Sequence, residues 1–134
     1  MQIKTGDIVY VDLPNNIGHQ QGGRRYGVVV SNNIGNCNSP TIEILPSTTK
    51  RNDTQPTHAF FQAGEIVGLN YDTVFEAEAK WTINKFQVIR IVGHLSAHQM
   101  ERIAEAMVYA TPCVMAAFYN GVHKTAKFKY VAGR

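Results

Sequence analysis

The sequence predicts an α+β protein of mostly β structure, a small and strongly curved antiparallel sheet with a C-terminal helix packed against it. Short runs of β-branched and aromatic residues, separated by polar turns, recur between residues 8 and 92. The apolar spacing changes to a helical period only after residue 96. The chain has 134 residues, 44% of them apolar, which suits one domain with one modest core.

The first half of the chain predicts three strands separated by two polar connections. Ile8–Leu13 is an apolar run that stops at a proline and two asparagines. Asn15–Arg25 reads as a long loop with three glycines, and loops of this length in compact domains are often functional. Tyr26–Ser31 is predicted to be a buried strand, followed by a connection over residues 32–40. Thr41–Pro46 is the third strand, which Pro46 should close because it has no backbone N–H.

The second half predicts shorter strands, then helices. After a polar stretch over 47–57, residues 58–62 are predicted to form a strand, 72–79 fit a strand or a helix, 81–83 a strand or a turn, and 88–92 a strand. Ser96 and Gln99 match a capping box, and the apolar residues that follow lie on one stripe of a helix. Thr111–Pro112 begins a second helix that Gly121 can end. We expect one domain over 1–122 and a basic tail over 123–134.

Composition excludes several classes of protein. No run approaches the roughly 18 apolar residues that cross a bilayer, and the first residues lack the apolar segment of a signal peptide. We therefore expect a cytoplasmic protein with no membrane partner. Cys37 and Cys113 stand alone and are expected to be reduced structural thiols. The net charge of +3 permits a polyanionic partner without requiring one.

Candidate catalytic side chains lie in the two polar loops. Arg25 leads directly into a buried strand, and its forked donors suit a phosphate, although a surface ion pair explains it equally well. Arg24 should point the other way if the strand pleat begins there. His19 reads either as a surface histidine or as a proton-transfer group, and Thr48 either caps a turn or donates to a phosphate.

Metal-dependent chemistry is not predicted. The zinc-protease, Walker and dinucleotide-binding motifs are all missing from the sequence. Asp7, Asp12, Glu76 and Glu78 are spread along the chain, and the last two fit one face of a strand. We therefore expect neither a metal site nor a cofactor.

Taken in order, these residues resemble the MazF/PemK family of toxin endoribonucleases. The resemblance begins with Gly6–Val9, the loop Gly18–Arg25 and the strand Val28–Asn32. It continues through weaker matches at Ser39–Thr41, Ser47–Thr49 and Pro56–His58, at Glu78, Thr82–Ile83 and Lys85, and at Gly93–Ser96. It covers about residues 3 to 110 and is most specific in the first loop.

The resemblance implies an SH3-like barrel with a C-terminal helix, as in MazF, PemK and CcdB, and a homodimer. It implies the toxin of a type II toxin–antitoxin system that cleaves single-stranded RNA, usually messenger RNA, without a metal. The expected products are a 2′,3′-cyclic phosphate and a 5′-OH. Its expected partners are RNA and a cognate antitoxin protein, whose complex with the toxin binds DNA. The rivals are a barrel that grips a protein target without cleaving, as gyrase poisons do, and a decayed RNA-binding member.

The resemblance also assigns roles to individual residues. Arg25 takes the position of the catalytic arginine, Thr48 that of the catalytic hydroxyl, and His19 that of a histidine found in some members. The expected RNA-binding residues are Gln20, Gln21, Arg24, Ser47, Thr49, Lys50, Lys80 and Trp81. Departures from the family pattern include Gln20, Tyr26, Ala79 and Trp81. Trp81 either stacks on a base or fills the core.

Overall fold

A computed structural model describes residues 1–13, 23–48 and 55–115. The strands are β1 Asp7–Leu13, β2 Gly23–Val29, β3 Thr41–Thr48, β4 His58–Phe61, β5 Thr73–Glu76, β6 Trp81–Asn84 and β7 Val88–His94. The helices are α1 Asn33–Asn38 and α2 Ala97–Ala110, and two 3₁₀ turns cover Ala77–Ala79 and Lys85–Gln87. Within these residues, no helix is long and apolar enough to cross a membrane.

The strands form one antiparallel sheet in the order β4-β5-β3-β2-β1-β7, with β6 also paired to β3. Register shifts between β1 and β7 mark irregularities of the kind that increase strand bending. Among the described residues, β4, β6 and β7 each pair with only one other strand, so the sheet does not close into a complete barrel. The expected fold class, a curved antiparallel sheet with a C-terminal helix, is confirmed.

Two apolar clusters cover the two faces of the sheet. The sheet cluster gathers side chains that share one face of the strands, among them Val9, Val11, Val29 and Ile44. The helix-facing cluster lies on the other face and joins the strands to α2. Its members include Ile8, Val28, Leu45, Phe61, Phe75, Met100 and Ile103. Because neighbouring residues in a strand point to opposite faces, β1, β2, β3 and β7 contribute to both clusters.

Two predicted strand boundaries were wrong. β2 begins at Gly23, so Arg25 lies within a strand rather than at the end of a loop. β3 continues through Pro46 to Thr48. One edge of β3 pairs with β6 up to Ile44 and with β5 only from Ser47, so Pro46 lies where the partner strand changes. A residue without an N–H is tolerated there because the recorded ladder on that edge is interrupted.

The helix α1 was not predicted and replaces part of the connection over 32–40. Its six residues are mostly polar and have no hydrophobic period. The Asn32 side chain caps it by accepting from the Gly35 N–H at 2.8 Å. Asn36, only 2% exposed, donates to the Ser31 carbonyl at 2.9 Å. Long-range packing and side-chain hydrogen bonds stabilise this turn, so local periodicity could not reveal it.

The second half of the chain resolves the alternatives that the sequence left open. Residues 73–76 form β5 and the following 77–79 a 3₁₀ turn, so the strand and helix readings each hold for part of the segment. Residues 81–84 are a strand, and Ser96 and Gln99 form the expected capping box of α2. Helix resumes over 113–115, whereas the rest of the predicted second helix and the tail lie outside the described residues. Cys37 and Cys113 are free and exposed, which does not fit a structural role in the core.

Candidate active site

The pairing of β2 with β3 brings Arg25 and Thr48 to the same end of the sheet. The recorded register runs from Val29↔Ile44 to Gly27↔Pro46. Two further residues along each strand, the same register places Arg25 opposite Thr48. Directly opposed residues of antiparallel strands project to the same face, so the guanidinium and the hydroxyl share one side of the sheet.

Arg25 and Arg24 lie on opposite faces, as the strand pleat predicted. Arg25 is paired with Val11 of the sheet cluster and is half-buried. Its aliphatic stem can therefore cover apolar surface while the charged head stays at the rim. Arg24 is paired with Asp12 and is exposed. The two arginines cannot act on the same phosphate from the same side of the strand.

Thr48 and Ser47 also differ in what they can reach. Thr48 is half-buried at the last position of β3, where it pairs with Val74. Ser47 pairs with Phe75 of the helix-facing cluster and is only 8% exposed. The expected RNA contact by Ser47 is therefore not supported, because its side chain lies on the other face from Thr48.

Lys80 and Trp81 lie further from this end of the sheet. Trp81 pairs with Ile44, four residues before Thr48, or about 13 Å along an extended strand. It is partly buried against the sheet cluster, which favours the core reading for most of its ring. Lys80 is exposed, and its Nζ lies 3.5 Å from a carboxylate oxygen of Glu43. His19, Gln20, Gln21, Thr49 and Lys50 lie outside the described residues.

Sequence reasoning missed a cluster formed by His58, Glu76 and Glu78. The His58 Nε2 lies 2.7 Å from Glu78 Oε2 and 3.9 Å from Glu76 Oε2. Burial alone would raise the pKa of Glu78. Hydrogen bonds from His58, from its own backbone N–H and from Thr57, together with the charge of His58, outweigh burial, so the net pKa lies below its ordinary value. The sequence placed Glu76 and Glu78 on one face of a strand, whereas Glu76 ends β5 and Glu78 lies in the 3₁₀ turn that follows. The sequence signal that could have indicated this cluster was a histidine at the start of one strand and a glutamate just after the next strand.

The comparisons with known proteins agree with this architecture. Residues 4–110 match the model of the PemK-like, MazF-like toxins of type II toxin–antitoxin systems. The chain belongs to this toxin family. The family predicted from the sequence is therefore confirmed over most of the chain.

Individual relatives of this toxin give the same result. The chain is 33% identical over 108 residues to endoribonuclease EndoA of Bacillus subtilis, which covers 80% of this chain and 92% of that protein. Among solved structures, a mycobacterial endoribonuclease in complex with its cognate antitoxin covers 82% of this chain and 95% of its own, with 22% identity and a TM-score of 0.68. MazF of Deinococcus radiodurans covers 81% and 96%, with 17% identity and a TM-score of 0.68. The two structures support the fold.

Proposed function

We propose that this toxin is a metal-independent endoribonuclease that cleaves single-stranded RNA, and messenger RNA in particular, by attack of a ribose 2′-OH. The proposal rests on the β2–β3 register, which sets Arg25 opposite Thr48 on one face of the sheet when it is continued two residues past Gly27↔Pro46. The family match and the EndoA relative support the reaction class. A non-cleaving binder is the less favoured alternative, because both proposed catalytic side chains are present in this chain.

The chemistry requires little from the protein because RNA supplies its own nucleophile. Attack by the 2′-OH produces a phosphorane with additional negative charge, and departure of the 5′ oxygen leaves a 2′,3′-cyclic phosphate. Arg25 is always charged and presents donors that stabilise this phosphorane. The Thr48 hydroxyl adds a hydrogen bond to a phosphoryl oxygen. DNA has no 2′-OH and should not be cleaved.

Proton transfer is assigned separately from charge stabilisation. An arginine is a poor base at neutral pH, so Arg25 acts as the clamp of the transition state and as a possible acid. Histidine commonly serves as a general acid and base near neutral pH, which makes His19 the candidate for proton transfer. We therefore assign His19 the exchange of protons between the 2′-OH and the leaving 5′ oxygen, with Arg25 as the alternative acid.

The proposed partners follow from the relatives. Solved neighbours include a mycobacterial endoribonuclease with its cognate antitoxin and MazE–MazF of Deinococcus radiodurans. We propose that a cognate antitoxin neutralises this toxin by laying an extended, acidic segment across the face that carries Arg25. We also propose that the toxin acts as a homodimer and in the cytoplasm, where messenger RNA is present.

The decisive experiment compares Arg25→Ala with the wild type on a long single-stranded RNA in excess EDTA, with fragment ends mapped. We expect discrete wild-type cuts bearing cyclic-phosphate ends. Arg25→Ala should lower the cleavage rate by roughly 10²–10⁴, about 3–5 kcal/mol of transition-state stabilisation. Arg24→Ala, compared at saturating RNA, is the matched control, because it removes the same charge from the opposite face of β2.

Two outcomes would contradict the proposal. Equal cleavage by the wild type and Arg25→Ala would remove Arg25 from the mechanism. RNA left intact by the folded wild type would favour the non-cleaving binder. Circular dichroism and thermal unfolding of each variant distinguish lost chemistry from lost fold.

A further inference from the structure

Three potential metal ligands converge beside β4 and β5. One ligand atom each from His58, Glu76 and Glu78 lies within 4.8 Å of the others. They comprise one imidazole nitrogen and two carboxylate oxygens, and with a neutral imidazole the group carries two negative charges. Nothing in the proposed cleavage reaction uses these side chains. They are therefore a feature of the fold that the reaction leaves unexplained.

The fold presents these donors from two strands and one turn. His58 and Glu76 are direct partners in the β4–β5 ladder. The 3₁₀ turn Ala77–Ala79 then brings Glu78 back over them. The His58 side chain is only 5% exposed, whereas those of Glu76 and Glu78 are 26% and 43% exposed. The nitrogen donor is thus fixed by packing on the buried side of the cluster, and the carboxylates lie on the side that faces solvent.

We propose that His58, Glu76 and Glu78 bind one Zn²⁺ per chain. Zinc accepts histidine nitrogen and carboxylate oxygen at about 2.0–2.2 Å, and three protein ligands leave its fourth position to water. Ligands of a tetrahedral ion at these distances lie roughly 3.3 Å apart. The His58–Glu78 separation must therefore widen slightly from 2.7 Å and the His58–Glu76 separation contract from 3.9 Å. Rotations of the Glu76 and Glu78 side chains provide both changes.

The bound ion would stabilise the fold and take no part in the proposed RNA cleavage, while its fourth position stays open to water. It replaces a hydrogen bond between β4 and the turn with coordination that joins β4, β5 and the turn. It also neutralises two carboxylates just before Lys80 in the chain. Cleavage should persist in EDTA, so the zinc site and the proposed ribonuclease activity can fail independently.

The test is a calorimetric titration of Zn²⁺ into tag-free, EDTA-treated and dialysed full-length protein, with thermal unfolding as a second readout. We expect one ion per chain and a higher Tm for the zinc-loaded protein. Glu78→Gln and Glu76→Gln should each weaken binding by about tenfold or more, and His58→Ala should abolish it. If His58→Ala does not fold, the two glutamate variants still test the site.

The chain provides matched controls, since two other histidines pair with carboxylates. His94 Nδ1 lies 2.8 Å from Asp7, and His98 Nδ1 lies 3.8 Å from Glu101. Neither pair belongs to a three-donor group among the described residues. His94→Ala and His98→Ala should leave zinc affinity unchanged. Absence of binding to the wild type, or equal loss in a control and in Glu78→Gln, would overturn the proposal.

Discussion

Strand geometry determines what each residue of the proposed catalytic pair can do. Arg25 and Thr48 both lie on strands rather than on the loops where the sequence suggested them. A strand fixes the direction of a side chain through its ladder, so the two groups are positioned before RNA binds. Such preorganisation makes electrostatic stabilisation effective, because little reorganisation is needed during the reaction.

Replacement of Thr48 by valine tests the hydroxyl while keeping the shape of the side chain. Loss of one hydrogen bond to a charged phosphorane costs about 1.5–3 kcal/mol, so the cleavage rate should fall about 10- to 100-fold. Thr48→Ser keeps the hydroxyl and should retain most of the activity. Single-turnover rates on one short RNA, at saturating enzyme, would measure the effect. Full activity in Thr48→Val, or equal loss in Thr48→Ser, would remove the hydroxyl from the mechanism.

At the scale of elements, the segment over residues 62–72 runs from β4 to β5 in the chain and contacts α2 through side chains. Glu65 accepts from the Gln62 N–H at 2.9 Å and forms an ion pair with Arg102 of α2. Arg102 also donates to the Phe60 carbonyl, and its guanidinium lies 4.0 Å from the centre of the Phe61 ring. This one arginine therefore joins the helix to both the connecting segment and the sheet.

The ion pair of Glu65 predicts a pH-dependent stability. Burial alone would raise the pKa of Glu65. The Gln62 N–H and Arg102 lower the pKa by more than burial raises it, so the net pKa lies below the ordinary value of 4.5. A carboxylate with a lowered folded pKa stabilises the protein above its unfolded pKa, and this contribution is lost as the pH falls through the folded pKa. Glu65→Gln should therefore lower the free energy of unfolding at pH 7 and have little effect at pH 3.

Urea denaturation of both proteins at pH 7, 5 and 3 would measure this difference. The matched control is Glu101→Gln. Glu101 lies next to Arg102 on α2, and its side chain is 76% exposed, so its replacement should change the free energy of unfolding little at any pH. A Glu65→Gln effect that stays constant down to pH 3 would show that the glutamate acts through packing and not through its charge.

The same segment lies against β7 through a glycine that has no room for a side chain. A Cβ added at Gly68 would lie 2.1 Å from the Val92 carbonyl oxygen, and its φ is +99°. Gly68→Ala should therefore combine backbone strain of about 1–2 kcal/mol with overpacking of about 1–3 kcal/mol. Gly64, with a φ of +82° and no atom within 4 Å of such a Cβ, provides the control for strain alone. Chemical denaturation should rank Gly68→Ala as the less stable, and equal stability would contradict the close contact.

Local patterns predicted some elements of this fold and could not predict others. The capping box at Ser96 and the strand runs are written in neighbouring residues, so they were predicted correctly. The strand position of Pro46 depends on a change of partner between β6 and β5, which is a long-range property. Roles for Arg25 and Thr48 came from the family resemblance, because the residues alone also fit an ion pair and a turn cap. His58 and Glu78 are 20 positions apart in the sequence, and only the folded chain brings them into contact.

At the scale of the whole molecule, the sheet places two neighbouring arginines on opposite faces. Arg25 lies at the edge of the face that carries the sheet cluster, and Arg24 lies on the face that carries α2. The net charge of +3 is the small excess of 13 lysines and arginines over 10 acidic residues, and some of these cations are expected to neutralise RNA phosphates. Each one that does so should make a measurable contribution to the salt dependence of binding.

Arg24 is therefore expected to bind RNA without taking part in the reaction. Arg24→Ala should weaken binding and reduce the slope of log affinity against log salt by about 0.7, the contribution of one phosphate contact on a single strand. Turnover at saturating RNA should not change. Binding would be measured on an uncleavable 2′-O-methyl RNA across a salt series. Arg90→Ala removes an equal charge from β7, where the guanidinium lies 4.8 Å from the centre of the Tyr10 ring, and should leave the slope unchanged. Lost turnover in Arg24→Ala with an unchanged slope would mean that the two neighbouring arginines have exchanged roles, and that the face carrying α2 is the catalytic one.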